Sequence, residues 1–243
     1  MTKEDNLAYA SSSAHQTQQS PGPIIFLGGG EWQEGCEEID GQIVNHASEI
    51  LVIPTAAAFS RPEALRAKAE EWFARLGGSV KVLDCYSRAD AQQAALAETV
   101  MGARAIYFVG GSPLHLRAVM KDSLVWKAVL AAWRDGAVLA SSSAAASVIG
   151  DPMVDPRGGA FTLGLGVCRP LAVIAHFNKW SRDKAQRTIT LAGPGVVVAG
   201  LEEQSALLRS PEGDWRILGL GKVELWRDHQ QVEVETLAQL IQL

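Results

Sequence analysis

The sequence predicts an α/β fold. It reads as a single three-layer domain with a mostly parallel sheet flanked by helices on both faces, a nucleophile elbow, and antiparallel strands toward the C-terminus. Three observations carry this expectation. Short apolar runs alternate with stretches whose apolar residues recur at helical spacing. The runs are continuous rather than alternating, as strands buried on both faces require. They stop at glycine, proline or serine clusters, where strands of such sheets give way to loops.

The elements follow in order. Residues 1–22 are polar and small, ending Gln18-Gln19-Ser20-Pro21-Gly22, and are expected to form a flexible tail; the domain is expected over 23–243. Pro23 to Leu27 is a strand stopping at Gly28-Gly29-Gly30, Ile50 to Ile53 one stopping at Pro54-Thr55, and a helix lies between them over Glu34 to Ala47. Glu63 to Leu76 places Leu65, Ala69, Trp72, Phe73 and Leu76 on one helical face and stops at Gly77-Gly78. Val80 to Leu83 is a strand, Ala91 to Met101 a helix, and Ala105 to Val109 a strand that breaks at Gly110-Gly111. Helices follow over Leu114 to Met120 and Leu124 to Arg134. The strand Val138 to Ala140 then runs into Ser141-Ser142-Ser143-Ala144-Ala145-Ala146. In the last third, Leu171 to Ala175, Val196 to Ala199, Ala206 to Arg209, Trp215 to Leu218 and Lys222 to Trp226 read as strands, with a hairpin turn over Ser210 to Asp214. No linker splits the chain.

Composition narrows the function classes. The 243 residues and 47% hydrophobic content support a substantial core. A net charge of −5 with no Lys/Arg run argues against a nucleic-acid partner. No apolar run reaches the roughly 20 residues of a membrane span, and the first residues lack the apolar core of a signal peptide. A cytoplasmic protein without a membrane partner is expected. Cys36, Cys85 and Cys168 are far apart and odd in number, which fits reduced, buried thiols and no metal site. No cofactor is implied: Gly28-Gly29-Gly30-Glu31-Trp32-Gln33 does not have the G-x-G-x-x-G spacing of a dinucleotide fingerprint. An exposed edge strand in the C-terminal third leaves a homodimer possible.

Sites in such sheets gather at the carboxyl ends of the strands. Ser143 stands where a tight strand-to-helix turn would push a hydroxyl out of the sheet, and Ser141, Ala144, Ala145 and Ala146 are small enough to let the two backbones approach. The amide of Ala144 is then placed to bind an oxyanion. Residue types alone also allow a Ser/Ala-rich helix start that only packs closely on the sheet. A serine needs a base. His176 follows an apolar strand and reaches the rim of Ser143 if that strand joins the sheet in parallel. His15, His46, His115 and His229 sit in the tail, at helix ends or in a polar turn. Gly110-Gly111 offers amides to a ligand, or is a simple turn.

Taken together, several segments resemble the serine peptidase family of dipeptidase E and cyanophycinase, whose fold is like that of class I glutamine amidotransferases. The matching pieces are Gly28-Gly29-Gly30-Glu31, Val52-Ile53-Pro54-Thr55-Ala56, Ile106 to Gly111, Ser142-Ser143-Ala144, Asp151 to Pro156, Ala175-His176-Phe177, and Gly200 to Glu203 with Ser205-Ala206-Leu207. They occur in the family's order over about Ile24 to Leu208. The resemblance implies a triad of Ser143, His176 and an acid. Asp151 is the first choice for the acid because it opens the matching segment, with Asp155 and Glu203 as further candidates. It also implies an oxyanion hole at the amides of Gly111 and Ala144. Ser112, Arg157 and Glu203 are weaker candidates for substrate contact, and Arg182 is a cation that could read an acidic group.

Two departures from the pattern stand out. Ser141 and Ala145 occupy positions where the family has glycine, and Ser112-Pro113 follows the glycine turn where polar residues are usual. The expected function is therefore a serine hydrolase of small peptides or amide-linked acids. The alternative is a catalytically silent ligand-binding member of the same fold. A glutamine amidotransferase would need cysteine at the elbow.

Overall fold

The computed structural model describes residues 20–243 except 61, 156 and 158. The tail expected over 1–22 lies outside the described residues as far as residue 19. The first half of the chain alternates strand and helix: β1 (Ile24–Leu27), α1 (Glu37–His46), β2 (Glu49–Ile53), α2 (Pro62–Arg75), β3 (Ser79–Val82), α3 (Ala94–Met101) and β4 (Ala105–Phe108). Two helices, α4 (Pro113–Met120) and α5 (Leu124–Arg134), lead to β5 (Val138–Ser142) and the short α6 (Ala144–Ile149). The second half comprises β6 (Met153–Val154), β7 (Phe161–Thr162), β8 (Leu171–Ile174), α7 (Arg182–Thr190), β9 (Val197–Leu201), β10 (Ser205–Arg209), β11 (Trp215–Gly219), β12 (Val223–Arg227), β13 (Gln230–Gln231) and α8 (Leu237–Leu240).

Seven strands form the main sheet in the order β11-β10-β1-β5-β4-β2-β3. The five from β1 to β3 run parallel, while β10 and β11 add antiparallel to the edge of β1. Side chains alternate between faces along each strand. Ile25, Leu27, Val52, Tyr107 and Ala140 pack against Ile39 and Ile43 of α1 and Ala69, Trp72 and Phe73 of α2. Ile24, Phe26, Ile53, Ile106 and Phe108 pack against Leu116 and Val119 of α4 and Val125 and Val129 of α5. Each such side chain stabilises the fold by about 1.5–3 kcal/mol through burial. The three layers thus follow from the continuous apolar runs. The fold matches the expected mixed α/β domain.

The strand that carries His176 differs from expectation. β8 does not join the main sheet. It belongs to a second, four-stranded sheet ordered β13-β12-β9-β8, in which β8 and β9 are parallel. The reason is that the hairpin β10–β11 already occupies the free edge of β1. Ala172 and Ile174 instead bury against Val154, Ile189 and Val198 in a small separate core. The two sheets meet through the main chain, where His176 N donates to Gly28 O at 2.8 Å.

Candidate active site

β5 ends at the rim of the main sheet, level with the end of β1, since Ser142 pairs with Leu27. The chain then reverses at Ser143, whose φ of 54° and ψ of −120° put a non-glycine residue in a sparsely populated conformation. Such a conformation costs about 1–3 kcal/mol and persists only where its surroundings over-determine it. Ser143 N donates to Leu27 O at 2.9 Å, which extends the β1–β5 ladder into the turn. Ala145 and Ala146 are fully buried directly behind it. Opposite, a Cβ on Gly110 would lie 2.7 Å from the Cβ of Ser143, so the turn after β4 needs glycine there to approach the serine. The two residues that stand where the family pattern has glycine are accommodated. Ser141 donates its hydroxyl to Ile25 O at 3.1 Å, and Ala145 fits without exposure.

The Ser143 hydroxyl meets Nε2 of His176 at 2.6 Å, and Nδ1 of His176 meets Oε1 of Glu203 at 2.9 Å. The carboxylate accepts from Nδ1–H, which leaves Nε2 free to accept from the serine. The imidazole lies over Gly29, where a Cβ would strike its Cε1 at 2.3 Å. Glu203 sits in the turn between β9 and β10. Its amide donates to Asn178 Oδ1 at 3.2 Å, and its Oε2 lies 3.3 Å from Nζ of Lys179. Burial raises the Glu203 carboxyl, but hydrogen bonds and charge from His176 and Lys179 outweigh it and hold the group below its ordinary value.

A cleft of about 470 Å³ opens beside this chain of groups. Gly111, Pro113, Ser143 and Ala144 line one side; Val173, Ile174, His176 and Trp180 line the other. As the first residue of α6, Ala144 carries an amide with no intrahelical acceptor. Lys179 and Lys184 also line the cleft. Lys184 Nζ lies 3.7 Å above the Trp180 ring, and the Ser181 hydroxyl caps α7 by accepting from Lys184 N at 3.3 Å.

The other candidates are placed elsewhere. The expectation of Asp151 as partner of His176 is corrected: its Oδ1 accepts from Gly164 N at 2.8 Å and its Oδ2 lies 3.2 Å from Nε of Arg169. The physical reason is the shortness of α6, after which Gly150 and Asp151 bridge to Cys168 and Leu171 and turn away from the rim. Asp155 spends its carboxylate on Arg157, at 3.0 and 2.6 Å to Nε and Nη2, which accounts for the exposed Arg157 as well. Ser112 turns its hydroxyl to the start of α4, accepting from His115 N at 3.3 Å, while its own amide goes to Ala56 O at 2.8 Å. Arg182 is exposed at the start of α7. Sequence reasoning missed Lys179, Trp180 and Lys184, whose only signal was closeness in sequence to His176. The three cysteines are free and buried. Burial pushes the Cys36 and Cys168 thiols up to about 12 and that of Cys85 to about 11. Among the described residues no group of three or more His, Cys, Asp or Glu stands where it could hold a metal ion. Nor is any helix among them long and apolar enough to cross a membrane.

Comparison with known proteins places the chain in a family. The profile of peptidase family S51 matches residues 24–214, a span that contains Ser143, His176 and Glu203. The chain belongs to peptidase family S51. Family S51 relatives include a cyanophycinase of Synechococcus elongatus, 26% identical over 232 residues that cover 88% of this chain and 71% of the relative. A second cyanophycinase, of Trichormus variabilis, is 24% identical over 217 residues, covering 83% and 72%. Among solved structures, a peptidase from an acI-B1 Actinobacterium superposes with a TM-score of 0.78 at 28% identity, covering 88% of this chain and 95% of that one. A peptidase E-like protein from Listeria monocytogenes EGD-e shares the fold, with a TM-score of 0.57 at 14% identity. Membership in family S51 supports a peptidase or related amide hydrolase.

Proposed function

We propose that this family S51 chain is a serine peptidase that cleaves small anionic peptides or amide-linked acids through an acyl-enzyme. The observation that carries the reading is the continuous line from Ser143 Oγ through His176 to Glu203, at 2.6 and 2.9 Å. In the proposed reaction, Ser143 Oγ attacks the scissile carbonyl carbon as His176 Nε2 takes its proton. The carbonyl oxygen becomes an oxyanion facing the amides of Gly111 and Ala144, each such donor being worth about 10²–10³ in rate. The imidazolium is steadied by Glu203 and returns its proton to the leaving amine. The C–N bond breaks, and the acyl group remains as an ester on Ser143. Water, deprotonated by His176, then attacks that ester; the bond to Ser143 Oγ breaks, His176 returns the proton to Oγ, and the acid is released.

The lysines support the substrate class. Lys179 and Lys184 put cationic side chains on a cleft lined by both apolar residues and serines. An anionic group there is attracted over a short range, modestly because the cleft is open to water. The test is hydrolysis of a panel of dipeptides with N-terminal Asp, Glu, Asn and neutral residues by the wild type, Ser143→Ala and Lys184→Ala. Serine-dependent cleavage of acidic members, with KM raised by Lys184→Ala, supports the reading. Saturable binding of a panel member with no product, unchanged by Ser143→Ala, would replace it with the silent ligand-binding member.

A further inference from the structure

Glu31 lies directly behind the elbow and has no place in the triad. Ser142, the last residue of β5, follows Val138 and Ala140 onto the α1/α2 face of the sheet and is fully buried. There its hydroxyl donates to Glu31 Oε2 at 2.8 Å. The other carboxylate oxygen, Oε1, lies 3.5 Å from the point where a Cβ on Gly110 would stand, and that same point is 3.1 Å from Ser143 Oγ. The carboxylate thus holds the strand end before Ser143 and faces the glycine turn opposite it. Its own backbone is fixed. Glu31 follows the glycine loop whose Gly28 carbonyl accepts from His176 N, and Lys68 Nζ donates to Glu31 O at 2.9 Å.

The strained φ of Ser143 makes this contact consequential. The direction of the Ser143 hydroxyl depends on the two peptide planes that flank it, and the plane on the strand side belongs to Ser142. A hydrogen bond from the Ser142 side chain restrains that plane. We infer that Glu31 is a positioning residue, which holds the Ser143 hydroxyl in line with His176 through Ser142. The inference rests on Ser143 being the nucleophile. It requires of Glu31 an acceptor oxygen rather than a charge. An anion this near a developing oxyanion is, if anything, unfavourable to it.

The test is the rate at which a fluorophosphonate probe labels Ser143 in the wild type, Glu31→Gln, Glu31→Ala, Ser142→Ala and the Glu31→Ala/Ser142→Ala double variant, with the thermal midpoint of each. The expected result is a loss of about 10- to 100-fold in both alanine variants, the scale of a small misplacement of a reacting group. The double variant is no slower than the worse single one, because both remove one interaction. Glu31→Gln, which keeps the acceptor, stays near the wild-type rate. Wild-type rates in the alanine variants, additive losses in the double variant, or a glutamine variant as slow as alanine would each overturn the inference. Should Glu31→Ala not fold, Ser142→Ala and Glu31→Gln still decide it. An inert wild type would sink the hydrolase reading alone. The elbow is then read by hydrogen exchange at the Ser143 and Ser147 amides, which are bonded to Leu27 O and Ser143 O. Faster exchange in the alanine variants supports the clamp, and unchanged exchange contradicts it.

Discussion

Lys179 Nζ lies 3.3 Å from Oε2 of Glu203, on the carboxylate whose other oxygen meets His176 Nδ1 at 2.9 Å. One acid therefore serves two cations when His176 is protonated. Lys179 is largely exposed, so its energetic contribution is modest. Its position still bears on the pH dependence. Burial of Glu203 favours its neutral form, while His176 and Lys179 favour the anion and prevail. Removing the ammonium makes protonation of Glu203, the carboxylate bonded to His176, easier. In Lys179→Met the acid limb of the pH–rate profile for fluorophosphonate labelling is expected to move to higher pH, with the plateau rate little changed. A profile that stays in place would show that Lys179 does not act on the pair.

The identity of the acid gives a paired prediction. Glu203→Gln removes the carboxylate that fixes the tautomer of His176 and should lower the labelling rate by about 10²–10⁴. Asp151→Asn touches Gly164 and Arg169, away from the rim, and should leave the rate within about threefold. Equal losses from the two would contradict the geometry described for this site.

Gly110→Ala forces a methyl to 2.7 Å from Ser143 Cβ and 3.1 Å from its Oγ. Both walls are backbone-anchored, so the serine or the glycine turn must move. The expected outcome is a loss of labelling of about 100-fold or more with the far-ultraviolet circular dichroism retained. Full labelling would mean that the turn relaxes without disturbing the serine.

A buried carboxyl gives a prediction on stability. Asp40 is fully buried and accepts from Trp72 Nε1 at 2.8 Å. Burial, aided by Glu31 and Glu37 and opposed by the Trp72 bond, pushes its pKa up to about 7. The folded state thus binds a proton that the unfolded state releases near pH 4, so this group's contribution weakens as pH rises from about 4 to 7 and then levels off. Asp40→Asn keeps an acceptor for Trp72 and loses the charge. Its effect on Tm should be more favourable at pH 8 than at pH 5, by about 5 °C. A variant whose Tm shift is the same at both pH values would show that Asp40 does not titrate in this range.

The central parallel strands were legible because they are buried on both faces and read as unbroken apolar runs, from Ile24–Leu27 to Val138–Ala140. The small residues around Ser143 marked the elbow for the same reason, since close backbone approach excludes anything larger. β8 was legible as a strand but not as a member of the second sheet. Nothing in Leu171–Ile174 says that the β10–β11 hairpin has already taken the edge of β1. Asp151 stood ahead of Glu203 because it opens a segment that resembles the family pattern, and that resemblance does not say which carboxylate faces His176. Glu203 reaches His176 from the turn between β9 and β10, strands of different sheets, and only the folded chain brings them together. Lys179 and Lys184 read as ordinary surface lysines until their cleft is formed.

The central claim is that Ser143 is a nucleophile activated by His176. Intact-mass analysis and peptide mapping after treatment with a fluorophosphonate test it most directly. A single covalent adduct is expected on the peptide containing Ser143, abolished in Ser143→Ala and slowed strongly in His176→Ala. Folded wild-type protein that stays unmodified by several such probes, or that carries the adduct on another serine, would contradict it.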